Sequence, residues 1–316
     1  MAPRHARVIV LGSGPAGYTA ALYAARAGHD PLLLTGVQKG GQLVTTSTIE
    51  NWPAEHAAVI GVDLMERFEA QAVRFGVEIV FDEISSVALA ERPFHLVGAE
   101  GEYTCDALII ATGASAKYLG LPAEQQFLGR GVSTCATCDG YFFKGQPVAV
   151  VGGGDTAVQD AVDLSNIASS VTLVHRRDTF AAEAILVSRL MKRVGRGAIT
   201  LALNHTVEDI LGDDAGVTGL RLRAAPEGTT RDLAVAGVFI AIGHRPNTAL
   251  FRGAVDMDAA GYVLTRGGRG PGATATNIEG VFAAGDVQDP IYRQAVTAAA
   301  SGCQAALDAG WFLDGA

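Results

Sequence analysis

The sequence is poor in cysteine, with four in 316 residues, two of them in a single CxxC, Cys135-Ala136-Thr137-Cys138. That count excludes the disulfide framework of small secreted proteins and fits a reducing cytoplasm. No apolar run approaches the roughly 18 residues that cross a bilayer, so no membrane partner is expected. The first residues, Arg4-His5-Ala6-Arg7 before Val8-Ile9-Val10-Leu11, read as a strand entering a glycine turn rather than a signal peptide. Basic residues are outnumbered, 24 Lys+Arg against 33 Asp+Glu for a net charge of -9, which argues against a nucleic acid partner. At 49% hydrophobic and 18% charged, the chain has the composition of a soluble globular protein. Its length suffices for two domains with well-buried cores.

Glycine is plentiful, at 39 residues, and its placement carries information. Val8 to Leu11 is a continuous apolar run, as in a parallel strand buried on both faces. Gly12-Ser13-Gly14-Pro15-Ala16-Gly17 follows, and then an alanine-rich helical stretch to Ala27. In a strand–GxGxxG–helix unit, Gly12 permits the tight turn, Gly14 lets backbone N–H groups approach a pyrophosphate, and Gly17 lets helix and strand pack closely. The next strand, Leu32 to Leu34, ends in Thr35-Gly36 without the acid that commonly binds a ribose. Lys39-Gly40-Gly41-Gln42-Leu43 and Asn51-Trp52-Pro53 are compatible with a plain glycine loop and an ordinary turn. Helical spacing of Leu64, Phe68, Ala72 and Phe75 predicts a packed helix over 63–75. Short alternating strands follow through 77–105, and then a buried strand runs through Ala107 and ends in Ala111-Thr112-Gly113.

The opening plan recurs about 140 residues on: Val148 to Val151 is a buried strand, Gly152-Gly153-Gly154-Asp155-Thr156-Ala157 gives GxGxxA, and an apolar helix face follows. The second strand of this unit, Val171 to Val174, ends in His175-Arg176-Arg177. Arginines there suit the 2′-phosphate of NADP, against the alternative of a solvated basic strand end. Asp232 to Ile242 closes the unit and leads into Gly243. Near the end, Val281 to Ala284 runs into Gly285-Asp286, where the carboxylate serves either a cofactor hydroxyl or as a helix N-cap; a helix is expected from about Tyr292 to Leu307.

Taken alone, the CxxC is divided between half a zinc site and a redox pair. Its neighbours decide. Hydride does not reduce a disulfide efficiently by itself, whereas a flavin accepts hydride and reduces a disulfide through a thiol adduct. Two dinucleotide units around one dithiol therefore suit FAD in the first and NADPH in the second. Zinc would need two further ligands, and Cys105 and Cys303 are isolated in sequence and expected to be buried structural residues.

Gly12 to Gly17, Gly40-Gly41-Gln42, Asn51-Trp52-Pro53, Cys135 to Asp139, Gly152 to Ala157, His175-Arg176-Arg177, Gly285-Asp286 and Arg293-Gln294-Ala295 together resemble the low-molecular-weight bacterial thioredoxin reductases, class II of the pyridine nucleotide-disulfide oxidoreductases. CATC followed by Asp, between two fingerprints, is specific to this group: ferredoxin-NADP reductases lack it, and glutathione-reductase-type enzymes carry theirs in the first unit. The resemblance implies an α/β fold of two Rossmann-like domains, with an NADPH domain (116–246) inserted into a split FAD domain (1–115 and 247–316), and a homodimer. It implies that FAD is held by Gly12, Ser13, Gly14, Pro15, Ala16, Thr35, Gly36, Gln38, Gly41, Gln42, Asn51, Ile84, Ala111, Thr112, Gly113, Gly285, Asp286, Arg293, Gln294 and Ala295. NADPH falls to Gly152, Gly154, Asp155, Thr156, Ala157, His175, Arg176, Arg177, Ile242 and Gly243. Cys138 would face the flavin, Cys135 would attack thioredoxin, Asp139 would manage protons, and Arg130 with Tyr141-Phe142-Phe143 would contact thioredoxin. Alternation between two domain orientations is implied too, with hinges near Lys117 and Gly243.

Two departures stand out. Ala181 occupies a position where the family commonly has a further arginine; losing one charge-assisted phosphate contact costs about 1.5 to 3 kcal/mol, roughly ten- to 150-fold in affinity. Gln38 stands where an acid is common, and its amide still bonds a ribose hydroxyl. The same architecture also suits a reductase of another small disulfide or a dithiol oxidase. A different class of reading is a nonenzymatic dinucleotide-binding redox sensor.

Overall fold

The computed structural model describes residues 2–45 and 49–315. Among them are seven α-helices: α1 (Pro15–Arg26), α2 (Gly61–Arg74), α3 (Pro122–Phe127), α4 (Ala136–Asp139), α5 (Asp155–Leu164), α6 (Ala184–Gly195) and α7 (Ala295–Asp314). The chain divides into two compact units, Met1–Ser115 with Arg245–Ala316, and Ala116–His244. It passes between them through Ala114–Ala116 and His244–Pro246, which pair as a two-stranded ribbon.

In the first unit the sheet order is Glu78–Val80, Leu32–Leu34, Arg4–Leu11, Glu102–Ile110, Phe94–Gly98, Ile84–Ala88, with Val281–Ala283 also paired to Glu102–Ile110. The central strands are parallel, Ile9 lying opposite both Leu32 and Leu108. Successive side chains point to opposite faces, and both faces are covered. Val8, Val10 and Ile109 pack beneath α1 and α7, while Ile9, Leu11, Leu108 and Ile110 join Phe94, Phe251 and Val281 on the other side. This two-sided burial is why the strand reads as an unbroken apolar run; each such side chain stabilises the fold by about 1.5–3 kcal/mol. The α1–α7 contact is built from Ala16, Ala20, Ala24, Ala298, Ala305 and Ala309. A Cβ on Gly302 would come within 2.2 Å of the Ala16 carbonyl oxygen, so the two backbones touch.

The second unit has a five-stranded parallel sheet, Ile199–Leu203, Ser170–His175, Pro147–Val151, Gly237–Ile240 and Val132–Ser133, and an antiparallel sheet of His205–Asp213, Gly216–Ala224 and Thr230–Ala234. The segment Asp232 to Ile242, which closes the unit, contributes to both sheets. The last helix differs from expectation. Arg293 sits at φ 48 and Gln294 is extended, which delays the first turn of α7 to Ala295. Burial of Ala305, Ala306, Ala309 and Gly310 carries it on to Asp314. No helix among the described residues is long and apolar enough to cross a membrane. Cys105 is buried, its thiol pushed up to about 12 by burial, but Cys303 is only half-buried, because its turn of α7 is partly exposed.

Candidate active site

Local geometry explains the first glycine turn. Gly12 has φ +109, and a Cβ there would lie 2.2 Å from the Ala111 carbonyl oxygen; a Cβ on Gly17 would lie 1.9 Å from the Gly12 oxygen. A Cβ on Gly14, by contrast, would meet nothing within 4 Å. Gly14 is the N-cap of α1, which has Pro15 in its first turn, no side-chain cap and no first-turn acid. A helix N-terminus with no side-chain cap, beside a glycine whose missing side chain leaves room, fits a diphosphate, so this turn suits FAD. The buried Ser13 hydroxyl donates to the Thr35 oxygen at 3.1 Å and accepts from the Gly40 N–H at 3.0 Å. A Cβ on Gly41 would be 3.1 Å from Gly14 Cα. Gly12 to Ala16, Thr35-Gly36 and Gly40-Gly41 are therefore one assembly, with Gln38 and Gln42 exposed at its rim.

From the C-terminal side, Gly285 approaches so closely that its Cβ would be 2.9 Å from that of Ala16, and the Gly285 N–H donates to Ser301 Oγ at 2.8 Å. Asp286 lies in a short 3-10 turn, Gly285–Val287, while the N-cap of α7 is Gln294. The helix N-cap role for Asp286 is thereby excluded. Its carboxyl is pushed up to about 6 by burial and by the charge of Asp289, partly offset by Arg293. Asn51 Nδ2 donates to Gln294 Oε1 at 3.2 Å, which brings Asn51 to Arg293-Gln294-Ala295. Thr112 and Gly113 are held by Asn247: Thr112 Oγ1 donates to its carbonyl at 2.8 Å, its Nδ2 to the Thr112 carbonyl at 2.9 Å, and its N–H to the Gly113 carbonyl at 2.9 Å. Ser115 Oγ donates to Asn247 Oδ1 at 3.0 Å. Ile84 stands apart in the edge strand, half-buried on the sheet face that holds Phe94 and Phe251; its link to the turn is the neighbouring bond from the Gly36 N–H to the Asp82 oxygen, 3.1 Å.

The second unit repeats the device. A Cβ on Gly152 (φ +153) would be 2.3 Å from the Ala241 oxygen and 2.7 Å from Ala157 Cβ, and Gly154, the N-cap of α5, again faces open space. The helix N-terminus behind it again suits a diphosphate, here that of NADPH, although unlike α1 it has an acid, Asp155, in its first turn. His175 is buried, its ring where a Cβ on Gly153 would fall, stacked on Phe180 at 5.5 Å and donating from Nε2 to the Thr179 oxygen at 3.0 Å. Arg176 and Arg177 are exposed beyond it. The Ala181 N–H donates to the Gly153 oxygen at 2.8 Å and Asp155 Oδ1 accepts from the Glu183 N–H at 2.7 Å, so the 181–183 segment lies on the turn close to Thr156. Gly243 follows Ile242 at φ +104, its carbonyl accepting from the Lys117 N–H at 3.0 Å.

The CxxC is a closed disulfide between Cys135 and Cys138, with Cα atoms 5.3 Å apart and both residues half-buried. The single turn of α4 aims the Cys138 N–H at Cys135 Sγ, 3.2 Å away. Asp139 is half-buried; burial raises its pKa, opposed by a hydrogen bond from Ser133 Oγ at 2.5 Å. Ser133 Oγ also accepts from the Cys135 N–H at 3.0 Å. Sequence reading missed Ser133, Ser301 and Asn247, none of which lies in a motif. Of the flanking aromatics, Tyr141 and Phe142 are exposed, whereas Phe143 packs edge-on against Phe239 at 5.5 Å and belongs to the core. Arg130 is exposed but engaged, donating to the Gln126 oxygen at 2.7 Å and the Asp214 oxygen at 3.3 Å. Among the described residues, no group of three or more His, Cys, Asp or Glu is placed to hold a metal ion.

Known proteins share this plan. The chain is 58% identical over 311 residues to thioredoxin reductase from Vibrio cholerae, covering 98% of each. It is also 58% identical over 312 residues to a Pseudomonas fluorescens protein named glucosaminate ammonia-lyase, covering 99% of this chain and 97% of that one. Among solved structures, thioredoxin reductase from Giardia duodenalis matches with a TM-score of 0.92 at 39% identity, covering 98% of this chain and 99% of that one. Residues 6–302 match the model of the pyridine nucleotide-disulphide oxidoreductases, a span that takes in both glycine turns and the disulfide, and the chain belongs to that family.

Proposed function

We propose that the chain is a thioredoxin reductase, working as a homodimer in a reducing cytoplasm and taking electrons from NADPH. The observation that carries this reading is a closed, half-exposed Cys135–Cys138 disulfide with a half-buried carboxyl, Asp139, directly after it. FAD belongs in Met1–Ser115 with Arg245–Ala316, at Gly12 to Ala16, Thr35-Gly36, Gly40-Gly41 and Gly285-Asp286. NADPH belongs in Ala116–His244, at Gly152 to Ala157 with Arg176 and Arg177 on the 2′-phosphate. Bound FAD supplies the two-electron relay between NADPH and the disulfide.

Once the pair is reduced, the Cys138 N–H donates to Cys135 Sγ and favours the thiolate there. Cys135 Sγ attacks one sulfur of the thioredoxin disulfide; a bond forms between them, the thioredoxin S–S bond breaks, and the leaving sulfur takes the proton of Asp139. The Asp139 carboxylate then accepts the Cys138 proton as Cys138 Sγ attacks Cys135. The Cys135–Cys138 bond is restored, and the second thioredoxin sulfur leaves with that proton. Two electrons and two protons have moved. An ammonia elimination, by contrast, is redox-neutral and would give the disulfide no task.

The test is anaerobic titration of the FAD-loaded protein with NADPH, followed by addition of oxidised thioredoxin. Flavin bleaching by NADPH and its stoichiometric recovery on adding thioredoxin are expected. A flavin that NADPH does not bleach, or that thioredoxin does not reoxidise, would overturn the reading.

A further inference from the structure

We propose that Ser133 is a positioning residue for proton transfer at the dithiol, holding Asp139 to the backbone of Cys135 in both protonation states of the acid. The proposal rests on the thioredoxin reductase reading of the same site.

Ser133 ends the strand Val132–Ser133, where it pairs with Phe239 of the parallel sheet, and it is 5% exposed. Its position is therefore set by the sheet, not by the turn that carries the thiols. The hydroxyl meets three groups: the Cys135 N–H, which donates to it at 3.0 Å; Asp139 Oδ2, at 2.5 Å; and the Cys135 carbonyl oxygen, at 3.3 Å. One hydroxyl has one proton and two lone pairs. While Asp139 is ionised, the proton goes to Oδ2, as a short charge-assisted bond. When Asp139 is protonated, its own O–H donates to the second lone pair of Ser133 Oγ, and the Ser133 proton turns to the Cys135 carbonyl. Rotation about the Cβ–Oγ bond thus keeps every partner satisfied as the acid gains and loses its proton. Burial opposes ionisation of Asp139 and the Ser133 bond favours it. Removing the hydroxyl leaves burial unopposed.

The experiment compares wild type with Ser133→Ala and Ser133→Thr, using Asp139→Asn to identify signals of the acid. Two quantities are read: the pH profile of kcat/KM for thioredoxin-dependent NADPH oxidation, and the titration of the Asp139 carboxyl by infrared difference spectroscopy on the oxidised protein. In Ser133→Ala, both the Asp139 limb of the profile and the carboxyl titration are expected to move up by about one pH unit, with kcat down about tenfold. Ser133→Thr, which keeps the hydroxyl, is expected to restore both. If Ser133→Ala does not fold, Ser133→Gly serves as the hydroxyl-free variant. An Asp139 titration unchanged by loss of the hydroxyl would overturn the proposal. Wild-type protein inactive with thioredoxin would overturn the functional reading instead, and the infrared titration would still decide the role of Ser133.

Discussion

Asp286→Asn is expected to stabilise the protein stripped of FAD while weakening its hold on FAD. The unfolded chain ionises Asp286 near 3.8, whereas in the fold burial and Asp289 push it up to about 6. Between those values the folded protein keeps a proton that the unfolded chain has released, so stability falls as pH rises through the window and stays lower above it. The interval between 3.8 and about 6 corresponds to about 3 kcal/mol at pH 8. At pH 5, where the folded carboxyl is still largely protonated, about half of that penalty applies. Asparagine has no such penalty. Both tryptophans, Trp52 and Trp311, lie in the unit that carries Asp286, so urea unfolding followed by tryptophan fluorescence reports on that unit alone. The variant should gain up to about 3 kcal/mol at pH 8 and about half as much at pH 5. A carboxylate bonding a ribityl or ribose hydroxyl adds a charge-assisted bond, so FAD should be held at least about tenfold less tightly by the variant. A stability difference that does not change with pH, or a wild type more stable than the variant at pH 8, would refute the reasoning.

Gly12→Ala and Gly14→Ala should separate folding from cofactor seating. The first drives a methyl to 2.2 Å from the Ala111 oxygen at φ +109 and should lower both stability and FAD retention. The second, at φ -72 with open space around it, should leave the urea midpoint unchanged and lower FAD affinity alone. Ala181→Arg should raise the kcat/KM preference for NADPH over NADH by about tenfold or more, by restoring one charge-assisted phosphate contact on a segment that already lies on the Gly153 turn; an unchanged ratio would remove that residue from coenzyme selection. Cys138→Ser should abolish turnover and accumulate a mixed disulfide between Cys135 and thioredoxin, visible on a nonreducing gel, because no second thiol remains to release it; full turnover would refute the thiol route.

Much of the site was legible because it is written in backbone constraints. Gly12, Gly17 and Gly152 stand where a Cβ would strike a carbonyl oxygen, and no other residue meets that demand. What depended on side chains meeting across the fold was not. Ser133 reaches Asp139 six residues away, from a strand end to the last residue of the single turn α4, a pairing that neither strand nor helix periodicity announces. The role of Asp286 stayed divided until the 3-10 turn placed it outside the last helix. The packing of the His175 ring beneath Gly153 was not legible either, since that contact is set by the depth of the turn. The start of α7 was misplaced because Tyr292, Arg293 and Gln294 contain no helix breaker, while the left-handed backbone of Arg293 is foretold by no propensity.

Asn247 has a consequence for how this chain tolerates so large an insertion. Its bonds to Thr112, Gly113 and Ser115 tie the point where the chain leaves the first unit to the point where it returns, and the paired strands Ala114–Ala116 and His244–Pro246 run side by side. Loop-closure entropy depends on the freedom between two anchored ends, and a folded insert has almost none. To the first unit, the whole of Ala116–His244 therefore counts as a staple of a few residues. Replacing that segment by a short glycine linker should leave a self-sufficient flavin-binding module, and the same junction would accept another folded domain whose termini lie equally close.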